Sequence, residues 1–90
     1  MIYFFVECGG AKGYGNLLRC LPIHYQFLNK KFNSTIIYNA SKTIHFKITK
    51  CKKFNWHENY EKLKIKPGDI LIFDTYNITK KILNYFKKLS

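Results

Sequence analysis

A continuous apolar run, Ile2 to Cys8, stops at Gly9-Gly10 and passes through a glycine-rich loop into an amphipathic segment. The run is rich in aromatic and β-branched residues, as expected of a strand buried on both faces. After the loop, Leu17, Leu18, Leu21, Tyr25 and Leu28 recur at helical spacing up to about Lys31, giving one apolar helix face. Asn16 is the expected N-cap, and Pro22 is expected to kink or restart the helix. Thr35-Ile36-Ile37-Tyr38, within 34–39, reads as a second strand. Ile44, Phe46 and Ile48 alternate with His45 and Lys47 as a half-exposed third. Trp56 to Leu63 reads as a short helix capped by Asn55, and Lys66-Pro67-Gly68-Asp69 as a turn. Ile70-Leu71-Ile72-Phe73-Asp74 repeats the buried-strand pattern, and Thr79 is placed to cap a last helix carrying Ile82, Leu83 and Phe86.

Strands that alternate with helices predict an α/β fold: a Rossmann-like, three-layer half domain with a short, mainly parallel sheet. The two strongest strands, Ile2–Cys8 and Ile70–Asp74, are expected at its centre. Ligands of such sheets bind beyond the carboxyl ends of the strands. Two features fall there, the glycine loop and Asp74-Thr75-Tyr76.

Ninety residues allow one domain, here residues 1–90. A chain of this size buries only about 60% of its unfolded surface, which excludes a two-domain enzyme and a large enclosed cofactor cleft. No apolar run approaches the roughly 18 residues of a spanning helix. The start lacks the charged region of a signal peptide. Cys8, Cys20 and Cys51 are odd in number and show neither C-x-x-C nor zinc spacing. A reduced, cytoplasmic setting without a disulfide framework follows.

The formal charge is +11, and 15 of the 16 cations are Lys. Base-reading surfaces favour Arg, whose planar fork matches guanine edges. The Lys residues are dispersed in pairs such as Lys30-Lys31 and Lys80-Lys81. A solvated Lys-rich surface is therefore the leading explanation of the charge, ahead of a nucleic-acid patch.

The glycine loop could hold an anion or a sugar hydroxyl against the backbone. It is neither of the common nucleotide fingerprints: Leu18 stands where G-x-G-x-x-G needs its last glycine, and no Gly-Lys-Ser/Thr occurs. The more specific string is Gly13-Tyr14-Gly15-Asn16-Leu17-Leu18-Arg19-Cys20-Leu21. With Asp74-Thr75-Tyr76, it resembles the nucleotide-sugar hydrolases of the pseudaminic acid pathway. These are related to the two-domain Rossmann-like sugar transferases. Gly13, Gly15, Arg19 and Cys20 match the family's first motif in place, and Asp74 and Tyr76 its second. The resemblance spans nearly the whole chain but only the early part of the family's first domain.

The resemblance implies a UDP-linked amino sugar as ligand, in surface glycan biosynthesis, with no cofactor and no metal. It places Asn16 and Tyr76 at catalytic positions, and Glu7, Gly13, Gly15, Arg19 and Asp74 at substrate-holding ones. The family's water-activating histidine corresponds to Asn16, and its arginine and aspartate after the first strand to Phe5 and Glu7. An amide cannot exchange a proton near neutral pH as an imidazole does. The sequence stops at Ser90, before the family's nucleotide-binding second domain. The expected function is that of an N-terminal fragment of a nucleotide-sugar hydrolase or glycosyltransferase-like protein, inactive alone. It would need a separately encoded partner half, or would self-associate. The alternative is a small basic non-catalytic protein that binds nucleic acid or an acidic partner.

Each singled-out residue also has a purely structural reading. Gly13 and Gly15 can simply make the turn, Arg19 can face solvent, and Asp74 can satisfy backbone donors. Cys20 and Cys8 are expected in the core. His24, His45 and His57 lack metal-ligand spacing and read as surface or helix-side residues. Glu58 and Glu61 are expected to balance charge with Lys62. Tyr25, Phe27, Tyr85 and Phe86 read as core or helix-packing residues rather than a base-stacking platform. Tyr76 is the residue best placed for ligand contact, on a loop at the crevice.

Overall fold

The computed structural model describes residues 1–10, 13–76 and 78–89. The chain order is β1 (Ile2–Glu7), α1 (Gly15–Asn29), β2 (Ser34–Asn39), β3 (Cys51–Lys53), α2 (Trp56–Asn59), β4 (Ile70–Asp74) and α3 (Lys80–Leu89), with a 3₁₀ turn, Tyr60–Lys62, prolonging α2. The four strands form one sheet in the order β3-β2-β1-β4, and every pairing is parallel. This is a small α/β, Rossmann-like half domain.

Period-two alternation along β1 sorts the core into two layers. Ile2, Phe4, Val6 and Cys8 pack with Leu17 and Cys20 of α1, and with Ile36 and Tyr38 of β2. On the other face Phe5 and Ile37 pack with Trp56 of α2 and with Ile82 and Phe86 of α3. Phe5 is the hub of the second layer, its ring centroid 4.9 Å from Phe73 and 5.6 Å from both Trp56 and Phe86. The buried Trp56 indole donates to the Val6 carbonyl at 2.9 Å, tying α2 to the end of β1.

Two caps form as expected. The Asn55 side chain accepts from the Glu58 amide, and the Thr79 hydroxyl from the Ile82 amide. Four expectations are corrected. First, β4 is an edge strand, and β1 and β2 are the central pair. The apolar character of β4 goes to contacts with helices on both faces, and Ile70 is left 56% exposed. Second, Ile44–Ile48 is not a strand. β2 and β3 are parallel neighbours, so the segment between them must return the chain across a face of the sheet. Ile44 and Ile48 pack against the α1-side core on that return, while Phe46 stays exposed. Third, Asn16 is not the N-cap: α1 begins at Gly15, with Tyr14 at the cap position. Fourth, of the two outcomes expected at Pro22, the restart does not occur: α1 runs through it as one element.

His24 is also corrected. It is fully buried, with Nε2 2.7 Å from the Thr49 carbonyl and Nδ1 2.7 Å from the Ser34 hydroxyl. The carbonyl can only accept, so Nε2 carries the proton and Nδ1 accepts from Ser34. The side chain fastens the β2–β3 return to α1.

Candidate functional site

The carboxyl ends of β1, β2 and β4 meet the glycine loop and the corner after β4. Gly9, Gly10 and Gly13 have φ of 87°, 59° and 64°. A Cβ would meet nothing within 4 Å at any of them. Their glycine character is therefore a backbone requirement, which for Gly13 agrees with the turn-making reading. Gly15 differs: it has no left-handed φ, and a Cβ there would also meet nothing within 4 Å. Nothing in the described chain requires glycine at this first residue of α1, and its bare backbone faces open space.

Register divides the sequence-predicted residues between two faces of the sheet. Val6 pairs with Asp74, so Asp74 lies on the α1 face, while Glu7, one residue on, lies on the α2 face beside Asn39 of β2. On the α1 face Arg19 donates Nε and Nη2 to the Asp74 carboxylate at 2.9 and 2.7 Å. The same Nη2 donates to the Asn16 amide oxygen at 2.9 Å. Arg19 thus joins the two sequence strings instead of simply facing solvent, although its side chain stays largely exposed. Asp74, and secondarily the Tyr76 hydroxyl, hold the guanidinium pKa above its ordinary value. Asn16 is only 4% exposed, and its Nδ2 has no hydrogen-bond partner among the described residues. A buried amide donor left unpaired in this way costs about 1–3 kcal/mol.

On the α2 face Glu7 is 2% exposed and accepts three hydrogen bonds from the described residues. Oε1 takes the Tyr76 backbone amide at 2.7 Å. Oε2 takes the Thr75 hydroxyl at 2.5 Å and lies 3.0 Å from His57 Nε2. The other ring nitrogen of His57 lies 3.1 Å from Asn39 Nδ2. A buried carboxylate is tolerated only when donors replace its lost hydration, and here the corner after β4, α2 and β2 supply or orient them. His57 is therefore part of the site rather than a surface residue. Its only sequence signal was adjacency to Trp56, which says nothing about a partner 50 residues away.

Tyr76 belongs to both clusters. Its backbone is held by Glu7 on one face, its hydroxyl is beside Arg19 on the other, and the residue is 72% exposed between them. Next to the glycine loop on the β2 side, a cleft of about 200 Å³ is lined by Cys8, Gly10, Tyr14, Ser41, Lys42 and His45, among others.

All three thiols are held towards their protonated form. Burial pushes the Cys8 thiol up. Burial, with Asp74 adding to it and Arg19 opposing, pushes Cys20 up to about 11. Burial and neighbouring Cys8 do the same for Cys51, to about 11. Among the described residues no cluster of His, Cys, Asp and Glu could hold a metal ion, and no helix is long and apolar enough to cross a membrane.

No family model, curated protein or solved structure matches this chain.

Proposed function

We infer that the chain binds a nucleotide-linked amino sugar at the carboxyl edge of its sheet. It would act as the N-terminal part of a hydrolase or glycosyltransferase-like protein for surface glycan synthesis. The resemblance to the pseudaminic acid pathway hydrolases motivates the ligand class. The observation that carries the reading is the meeting of the two resembling strings, Gly13–Leu21 and Asp74–Tyr76, in one hydrogen-bonded group. Arg19 and Asp74 are 55 residues apart in sequence. The exposed Tyr76 ring, the bare Gly15 backbone and the unpaired Asn16 amide all lie around that group.

Turnover is not expected from this chain alone. Asn16 holds the position of the water-activating imidazole, and a carboxamide neither takes nor gives a proton near neutral pH. The open β4 edge supports completion by a separately encoded half or by a second copy. Three free cysteines support a reducing, cytoplasmic setting. The reading is tested by titrating the full chain with a UDP-linked 2-acetamido sugar and following backbone amide resonances. Shifts at Gly15 and Tyr76, weakened about tenfold by Tyr76→Phe through loss of a hydroxyl hydrogen bond, are expected. No UDP should be released. Absence of any shift at millimolar ligand would remove the reading.

A second reading rests on charge. Asp69 and Asp74 are taken up by the N-terminal amine and Arg19, and Glu7 is buried, which leaves few carboxylates to offset the lysines. Such a surface could hold a phosphate-bearing polymer or an acidic protein.

A further inference from the structure

We propose that His57 and Glu7 form a positioning pair for Tyr76, acting across the sheet from the face opposite the sugar-facing group. Tyr76 is the residue that the function above places against the ligand, and its main chain is held from the other face of the sheet. That is done by Glu7: Oε1 accepts the Tyr76 amide at 2.7 Å, and Oε2 accepts the hydroxyl of the preceding residue, Thr75, at 2.5 Å. The two residues that follow β4 are therefore anchored on a single carboxylate of β1.

The carboxylate is itself held by His57. The geometry assigns the protons. Glu7 Oε2 is an acceptor, so Nε2 of His57 carries hydrogen and donates to it at 3.0 Å. Nδ1 is then the lone-pair nitrogen and accepts from Asn39 Nδ2 at 3.1 Å. Asn39 is the register partner of Glu7 on β2, so donor and carboxylate are presented by adjacent strands. Trp56 fixes the ring: its centroid is 4.1 Å from that of His57, and its own Nε1 is bonded to the Val6 carbonyl. Every link of the chain Asn39–His57–Glu7–Tyr76 is a hydrogen bond, as a buried polar network needs if it is to specify one geometry. Glu7 is in this light not a ligand contact. Its carboxylate is buried and occupied, and it acts on the ligand through Tyr76.

The proposal rests on the reading of Tyr76 as a ligand contact only for its consequence. Its test uses no ligand, so failure of sugar binding and failure of the relay are separate results. On the full chain, nitrogen-15 spectra of the imidazole at mildly alkaline pH should show the Nε2–H tautomer for His57. The Nδ1–H tautomer would overturn the proposal. His57→Phe keeps a ring but removes both nitrogens. It should speed hydrogen exchange of the Tyr76 amide by about tenfold or more, as expected for a locally loosened segment. The Phe4 and Ile36 amides should stay protected. His57→Gln, whose carboxamide can donate to Glu7 and accept from Asn39, should restore Tyr76 exchange to within about threefold. Unchanged Tyr76 exchange in a folded His57→Phe chain refutes the relay, as does a His57→Gln chain no better protected than His57→Phe. Should His57→Phe not fold, the tautomer in the unmodified chain decides.

Discussion

At the residue scale, the buried Glu7 is the costliest group in the molecule to leave without partners. Glu7→Ala strands three donors, the His57 imidazole, the Thr75 hydroxyl and the Tyr76 amide. The expected loss is about 3 kcal/mol or more, at about 1–3 kcal/mol for each stranded donor. Denaturant unfolding would measure it, and a loss below about 1 kcal/mol would mean that water replaces the carboxylate. The cysteines give a pH signature. Cys20 and Cys51 titrate near 11 in the folded chain against 9.0 for an ordinary thiol. The unfolded chain therefore releases these protons first as pH rises. Stability from the raised thiols is complete below pH 9 and is lost as pH climbs towards about 11. Melting temperatures measured across that window should fall. The same thiols should resist alkylation at pH 8 until the chain unfolds.

At the scale of elements, α1 carries its own flaw. Pro22 sits inside the helix, where a missing N–H and a crowded ring cost about 3 kcal/mol in an ideal case. Pro22→Ala is expected to stabilise the chain by about 1–3 kcal/mol, read as a rise of roughly 4–8 °C in Tm per kcal/mol for a domain of this size. No rise would show that the surrounding chain already accommodates the ring. Two of the three expected caps were legible in the sequence because capping is local: Asn55 and Thr79 each bond an amide three residues on, whereas α1 starts at Gly15 and leaves Asn16 inside the helix. The alternating segment Ile44–Ile48 misled for the opposite reason. Alternation records only that every second residue is buried. A return segment packed on a sheet buries Ile44 and Ile48 in the same way as a strand does. Tyr38 and Tyr25 hydroxyls accept the Ile44 and Thr49 amides there, where a ladder would otherwise be needed.

For the whole molecule, the open side of β4 is the feature with the widest consequence. Leu71 and Phe73 line a groove of about 240 Å³ with Ile65 and with Leu83, Phe86 and Leu89 of α3. An edge strand with apolar residues towards both helical layers invites pairing. Concentration-dependent self-association is expected in sedimentation experiments, and Ile70→Lys, which sets a charge on the exposed end of the edge, should reduce it. A chain that stays monomeric at millimolar concentration would show that its charge of +11 already prevents pairing. The charge itself makes a separate prediction. Any binding to a polyanion should weaken steeply between low and physiological salt, whereas binding of a single nucleotide-linked sugar should change little.

The α/β class, the glycine loop, both helix caps and the burial of Cys8 and Cys20 could all be read from the sequence. Each depends on residues within a few positions of one another or on the period of an apolar run. The order of strands and the division of the site were settled only by tertiary structure. Within β1, the parity of Val6 and Glu7 is a sequence fact, but which of them shares a face with Asp74 depends on the β1–β4 register. A slip of one residue would have put Asp74 and Glu7 together on one face. The observed register separates them, pairing Asp74 with Arg19 and leaving Glu7 to His57 and Asn39. Tyr76 is joined to both groups because the corner after β4 crosses the end of the sheet. No local pattern encodes that crossing, since it depends on where β4 stops relative to its neighbour β1.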